Sequence, residues 1–304
     1  MTKCRGCGIK LQNIDAAKPG YVKSLDMELC MRCFKLKNYN ILINQGISID
    51  NNKIIDKINK EKAFVFFLID LLNIDNEVIN TFKSLKNPKI LVLTKVDIIP
   101  KNIKINQLIT NIKDVYDLKE EIIPCSAKTK LNLNVIRNIS AKYSRVIFSG
   151  FTNAGKSSLL NTLIDSNITV SSKENTTQDF ITVSKDGLVF MDAPGFMSKI
   201  TRENSFKNII KPKTYALPSV HYLLIGDYKL NTLEDTNITI YTDSAIVINR
   251  RREKEKNACP IAIPCHSDLV IPGFGFIKFS KTSYVALSTD NYEIRPSIIG
   301  GHHE

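Results

Sequence analysis

The sequence lacks any apolar stretch long enough to cross a membrane. Its longest continuous run is AFVFFLI at 63–69, far short of the roughly 18 to 20 residues that a helical span requires. The start, MTKCRGCG, has no apolar core of the kind that directs secretion. A cytoplasmic protein with no membrane partner is therefore expected. Arginine is scarce, with 9 of the 42 basic residues, the other 33 being lysine. Acidic residues number only 30, which leaves a formal net charge of +12. What is present suits a folded chain. Hydrophobic residues make up 43% of the 304, too many for wholesale disorder and enough for a core and two or three domains.

The charge has two readings. Basic surfaces bind nucleic acid, but a chain loaded with Lys, Asn and Ile reaches such a charge through composition bias alone. Residues 1–62 carry 12 basic and 6 acidic groups, 63–196 carry 16 and 13, and 197–304 carry 14 and 11. The excess is thus concentrated in the first fifth of the chain.

That fifth also holds four of the seven cysteines, as Cys4-x-x-Cys7 and Cys30-x-x-Cys33. A two-residue gap lets both thiolates of a pair reach one ion, and two pairs supply the four ligands of a tetrahedral zinc. Gly6 and Gly8 permit the tight turn around the first pair. A disulfide pairing does not suit a cytoplasmic chain. With all four positions filled by protein, the expected zinc is structural. Lys3, Arg5, Lys10, Lys18, Lys23, Arg32, Lys35 and Lys37 surround it, with Tyr21, Phe34 and Tyr39 interspersed. That mixture suits phosphate contact and base stacking on RNA, or a solvated basic surface over a small core. Cys125 lies in an apolar strand and reads as core, while Cys259 and Cys265 have no matching second pair.

From 63 the chain alternates strand and helix. Strands are expected at 63–70, 89–97, 121–127 and 144–150, and as a hairpin at 180–185 and 187–192. Helices are expected at 76–86, 103–118, 131–140 and 155–165, and 41–62 reads as a connector with a short helix. This alternation is that of an open α/β sheet. After about 210 short β-like runs take over (HYLLIGDY, NITIYTD, AIVINR, FGFIKFS and YVALS), which indicates a mostly β or α+β domain. The charged stretch from Arg250 to Lys256 reads either as an RNA contact or as a solvated helix of mixed charge.

Residues 150–157 form G-x-x-x-x-G-K-S between a strand and a helix, which is a phosphate-binding loop in its required context. Gly150, Asn153, Ala154, Gly155 and Ser158 shape or extend the cradle of backbone N–H groups. Lys156 neutralises the β- and γ-phosphates, and the Ser157 hydroxyl is a magnesium ligand. Asp192-Ala-Pro-Gly195 ends a later strand, with Asp192 suited to magnesium and the Gly195 N–H to the γ-phosphate. Between them Asn175-Thr176-Thr177-Gln178-Asp179 carries a threonine, taken as Thr177, to close on magnesium. Thr94-Lys95-Val96-Asp97 and Ser126-Ala127-Lys128 follow consecutive strands. The Asp97 carboxylate accepts from guanine N1–H and N2–H₂ together, a donor pair adenine lacks. The Lys95 stem lies over the base, and the Ala127 N–H meets guanine O6. Ligands in such sheets bind at the carboxyl ends of strands.

In an ordinary small GTPase the phosphate loop comes first and base recognition last. Here base recognition precedes the phosphate loop and the switch motifs end the series, so the expected fold is a circularly permuted P-loop GTPase domain. The expected boundaries are a zinc module at 1–45, the permuted domain at 46–210 and a C-terminal domain at 211–304.

With CxGC…CxRC, KPGY (18–21), RCFKLKNYN (32–40), GFTNAGKSSLLN (150–161), DAPG (192–195) and PGFGFIKF (272–279), the chain resembles the YqeH family of ribosome-biogenesis GTPases over essentially its whole length. The resemblance implies GTP hydrolysis to GDP linked to assembly of the small ribosomal subunit. It also implies contact with rRNA through the terminal domains, and no DNA partner is expected. Thr94 stands where the family usually has Asn. The position after D-x-x-G, often a water-orienting Gln, is Phe196. The resemblance therefore implies slow hydrolysis, raised by a ribosomal partner and by a potassium ion near Asn153. A non-enzymatic assembly factor using guanine nucleotide as a conformational ligand is the alternative.

Overall fold

The computed structural model describes residues 3–5, 9–16, 20–31, 34, 50–163, 180–185, 187–198, 208–219, 221–252 and 260–300. The chain divides into two compact units. One comprises Met1–Asp70, Asn80–Val96 and Glu120–Ser198, and the other Leu71–Ile79, Asp97–Lys119 and Lys199–Glu304.

The first unit is built on a six-stranded sheet in the order β3-β2-β1-β4-β6-β5. Its strands are β1 Phe64–Asp70, β2 Lys89–Thr94, β3 Ile122–Pro124, β4 Arg145–Gly150, β5 Ile181–Lys185 and β6 Leu188–Asp192. All neighbours pair in parallel except β5 with β6. β1 is buried at every position, which is why its sequence is a continuous apolar run rather than an alternating one. On one face Phe64, Phe66 and Leu68 join Phe148, Leu133, Ile136, Leu159 and Leu160 in a core. On the other, Phe67 lies against Phe82 and Phe196. The helices of the chain include α1 Asn51–Lys60, α2 Asn76–Ser84, α3 Ile105–Tyr116, α4 Leu133–Ser140 and α5 Lys156–Leu163, of which α1, α4 and α5 belong wholly to this unit. α1 starts on Asp50, whose carboxylate accepts from the Asn52 N–H, an ordinary N-cap.

Read from β4, the strands run β4, β5, β6, then β1, β2, β3. This is the order of a P-loop domain that begins on its phosphate-loop strand, with its ends joined through 141–144 and the chain reopened beyond β6. The expected rotation of the motifs is thus a rotation of the sheet itself.

Among the described residues the second unit carries ten strands in two antiparallel sheets. One has the order β16-β13-β14-β10-β7 and the other β11-β8-β9-β15-β12. Leu223, Leu230 and Val285 from one sheet and Ile240, Leu269, Ile277 and Phe279 from the other form a single core, so the sheets pack face to face. The strands are β7 Lys213–Leu217, β8 His221–Ile225, β9 Tyr228–Thr232, β10 Thr236–Thr242, β11 Ile248–Arg252, β12 Ile261–Ile263, β13 Ser267–Ile271, β14 Gly275–Phe279, β15 Ser283–Leu287 and β16 Glu293–Pro296. Arg250, Arg251 and Arg252 lie in edge strand β11, paired with β8. This overturns the helical reading of the start of that charged stretch, while 253–259 lies outside the described residues.

Leu71–Ile79 and Asp97–Lys119 are grouped with this unit, and a buried polar cluster ties them in. Arg295 Nη1 donates to the Ile74 carbonyl at 2.5 Å and to the Tyr116 hydroxyl at 2.9 Å. Its Nε faces Asp268 at 3.4 Å, and its guanidinium lies 5.1 Å from the Phe276 ring centre. Asn111 Nδ2, on α3 Ile105–Tyr116, donates to the carbonyls of Ile298 and Gly300 at 3.1 and 2.7 Å.

Candidate nucleotide site

The phosphate loop leaves the carboxyl end of the central strand β4, with β1 and β6 on either side. Its glycines are dictated by geometry. Gly150 has φ +140°, and a Cβ there would stand 2.4 Å from the Leu68 carbonyl oxygen, so no side chain fits beside β1. Asn153 and Gly155 also take positive φ, at 65° and 90°. Lys156, the first residue of α5, is 2% exposed. Its ammonium crosses the loop to donate to the carbonyls of Gly150 and Phe151 at 2.9 and 2.8 Å. Burial pushes its pKa down, and the nearby Asp192 carboxylate opposes that shift, leaving it at about 8. Ser157 is half-buried at the helix start, with Ser158 exposed after it.

Asp192 closes β6 opposite Phe148 of β4 and is fully buried. A carboxylate one strand from the loop, with Ser157 on the loop's helix, is the donor set a magnesium ion takes, so the residues fit that ion. Gly195 is packed onto the loop: a Cβ would meet Thr152 Cγ2 at 3.0 Å and Lys156 Nζ at 3.2 Å. Phe196 continues the contact. Its N–H donates to the Gly150 carbonyl at 3.2 Å and its carbonyl accepts from the Thr152 N–H at 3.1 Å. Its ring is fully buried near Phe67 and Phe151, so it has no means of orienting water. Just beyond, Met197 exchanges two hydrogen bonds with the Asn51 amide, at 2.6 and 2.9 Å.

The base-recognition residues are tied into the same loop. Thr94 Oγ1 lies 2.8 Å from the Ala154 carbonyl and 3.1 Å from that of Ile69. The hydroxyl therefore links the end of β2 to the phosphate loop. Lys95 adopts φ 55° and its ammonium is 3.1 Å from Asp70 Oδ2. Cys125 N–H donates to the Leu93 carbonyl at 2.7 Å and Val96 N–H to the Cys125 carbonyl at 3.3 Å, which joins the two base-binding loops. Cys125 is fully buried, as expected of a core thiol. Ser126 is buried too, and its Oγ accepts from the Thr129 N–H at 3.1 Å, fixing the turn that carries Ala127 and Lys128. Asp97 follows β2 in the short turn Val96–Ile98.

Asp70 belongs to none of the sequence motifs, yet the fold brings it to the site. It is 1% exposed, and its carboxylate engages the Lys95 ammonium. It ends β1 directly opposite Thr94, a relation that only the sheet register creates. Arg145, the first residue of β4, pairs with Glu61 at 3.0 Å.

At the amino end, Cys4 and Cys30 are buried with Leu11 and Val22. The Cys30 N–H donates to Cys4 Sγ at 3.2 Å, the kind of bond that supports a thiolate ligand. This half of the site fits a metal. Cys7, Cys33, Gly6 and Gly8 lie outside the described residues, as do Thr176, Thr177 and Cys259. Among the described residues no group of three or more metal-binding side chains occurs, and no helix is long and apolar enough to cross a membrane.

The family described as "50S ribosome-binding GTPase" matches residues 145–250. The match opens on the first residue of β4, where the ordinary strand order begins. YqeH of Bacillus subtilis (strain 168) is 28% identical over 293 residues, spanning 84% of this chain and 79% of that one. NO-associated protein 1, chloroplastic/mitochondrial, of Arabidopsis thaliana is 24% identical over 53% of this chain and 34% of its own length. The crystal structure of YjeQ from Thermotoga maritima aligns with a TM-score of 0.35 at 20% identity, over 45% of this chain and 49% of that one.

Proposed function

We propose that this chain, a P-loop GTPase related to YqeH, hydrolyses GTP to GDP during assembly of the small ribosomal subunit in the cytoplasm. The observation that carries the nucleotide reading is the Thr94 hydroxyl on the Ala154 carbonyl, which fixes the base-binding loop to the phosphate loop. Lys156 and the loop N–H groups bind the phosphates, and Asp97 with Ala127 reads guanine. Ser157 and Asp192 hold magnesium, joined by Thr177 when the triphosphate is present; bound there, the ion neutralises charge on the β- and γ-phosphates. Asn153, exposed on the loop, is the residue that would meet a potassium ion. Cys4, Cys7, Cys30 and Cys33 hold a structural zinc, and the basic first 62 residues contact rRNA of the small-subunit precursor.

Asp97→Asn tests the base assignment. Its carboxylate accepts twice from guanine, whereas an amide donates and suits xanthine, which carries an acceptor at C2. Losing one charged hydrogen bond of about 1.5–3 kcal/mol should weaken GDP binding by about 10- to 150-fold and improve xanthosine diphosphate binding. Titration of labelled nucleotides reads both, and unchanged guanine preference would overturn the assignment. The same protein, turned over in sodium and in potassium, tests the ion: equal rates would remove it.

A second reading rests on Phe196, whose buried ring leaves the switch without a water-orienting side chain. In that reading the nucleotide is a conformational ligand and the chain an RNA-binding assembly factor. Complementation, in cells lacking the protein, by a variant shown to bind GTP without turning it over would favour it.

A further inference from the structure

The phosphate loop occupies the carboxyl pole of the sheet, and the amino pole has a cleft of its own. It measures about 410 Å³, within the usual size of small-ligand sites. Three segments of the first unit line it: 59–64 at the end of α1, 86–88 before β2, and 143–145 before β4. Two of these walls, the entry segment and the join between the old chain ends, are where they are because the strand order is rotated.

The cleft has one aromatic face and an excess of cations. Tyr143 stacks on buried Phe64 with ring centres 4.4 Å and planes 24° apart, and Tyr143 itself is 37% exposed. Lys62 and Lys86 are exposed at the rim. Glu61 is the only acidic residue among the lining groups, and Arg145 engages it. The rim is held from beneath. Asn87 Nδ2 donates to the carbonyls of Glu61 and Ala63 at 2.7 and 3.2 Å, and Asn59 Oδ1 accepts from the Lys86 N–H at 2.8 Å. A flat aromatic surface beside lysines on a fixed frame matches a ligand with a planar ring and a negative charge, that is, a nucleotide.

We infer that this cleft binds a nucleotide of single-stranded RNA, with Tyr143 as the stacking face and Lys62 and Lys86 as phosphate contacts. The inference rests on the RNA reading above but puts a contact on the GTPase unit, apart from the cysteine module. A free mononucleotide offers the same chemistry, so the test separates the two. The full-length chain, saturated with GDP, is photocrosslinked to short RNAs containing 4-thiouridine and the linked peptides are mapped. Crosslinks in 59–64, 86–88 or 143–145 are expected. Tyr143→Ala should lower RNA affinity about 5- to 150-fold, the worth of one base stack of about 1–3 kcal/mol. Lys62→Ala with Lys86→Ala should flatten the salt dependence by about 1.4 in slope, two phosphates at ~0.7 each. GDP affinity should stay as it is in all of these variants. Crosslinks confined to 3–34 would overturn the cleft and leave the RNA reading standing; none anywhere would overturn both. Displacement of the RNA by uridine monophosphate at equal nucleotide concentration would overturn the polymer as ligand.

Discussion

GTP turnover by Lys156→Ala is expected to fall by at least about a hundredfold, the usual cost of one preorganised charge at a transition state. The reason is specific to the geometry. The ammonium is 2% exposed and rests on two loop carbonyls, so no water-borne cation replaces it. Lys156→Met keeps the stem without the charge and should bind GDP as poorly as the alanine form. Normal GDP binding by Lys156→Met would overturn the assignment. The lowered pKa gives a second readout. In the nucleotide-free fold the group titrates at about 8 instead of its ordinary 10.5. Because the folded value is depressed, the unfolded chain binds this proton more tightly, and the empty fold gains stability as pH rises from about 8 toward 10.5. Phosphates favour the charged form, so GDP binding just above pH 8 should take up a proton and weaken with further rise. Calorimetry in two buffers of different ionisation enthalpy measures this uptake, and identical heats would show that the lysine stays charged throughout.

The largest expected loss of stability comes from Arg295. Its guanidinium is buried with Asp268, Tyr116 and the Ile74 carbonyl, and both charged partners are almost fully inaccessible. Arg295→Met removes the cation and leaves a carboxylate in a dry core, which costs about 3–5 kcal/mol. Arg295→Met with Asp268→Leu removes both charges and should recover most of that loss, because the penalty lies in the orphaned charge rather than in the pair. Denaturant melts of the three proteins decide the matter, and a double variant no better than the single one would refute the account. The pH dependence has a definite sign. Burial raises the Asp268 pKa while Arg295 opposes the rise. A raised folded pKa means stability is kept at low pH and lost as pH climbs through it. The deficit of Arg295→Met should therefore shrink on acidification, as the carboxyl takes its proton.

Which parts of the site were legible in the sequence follows from how they are built. The phosphate loop is one continuous stretch whose conformation is set by Gly150, Gly155 and the helix that Lys156 opens, so adjacent letters state it in full. The rotation was legible too, because strand and motif order are both linear properties of the chain. The anchoring of the base loop was not. Thr94 reaches Ala154 across 60 residues and Lys95 reaches Asp70 across 25, and both depend on which strand lies beside which. The Asp70↔Thr94 register supplies the link, and no local pattern announces it. In the second unit, the strands at Lys213–Leu217, Ile261–Ile263, Ser267–Ile271 and Glu293–Pro296 escaped notice for a different reason. Three are short edge strands without a clean apolar–polar alternation, and β13 is a brief run whose burial comes from a partner sheet. Such segments acquire their apolar environment only after assembly.

The rotated strand order also changes what the chain exposes while it is being made. β1, β2 and β3 leave the ribosome before Arg145–Gly150 exists, so β1 is for that interval the open edge of a half-sheet. FVFFLID is about as apolar as a strand can be, and an exposed apolar edge is a template for pairing with other chains. In an unrotated domain the phosphate-loop strand emerges first and β1 is never left without its neighbour. Here the nascent chain must carry an uncapped, sticky border until β4 arrives to seal it. Slowing translation between residues 70 and 145 would lengthen that exposure, and with it the time in which the half-made sheet can recruit the wrong partner.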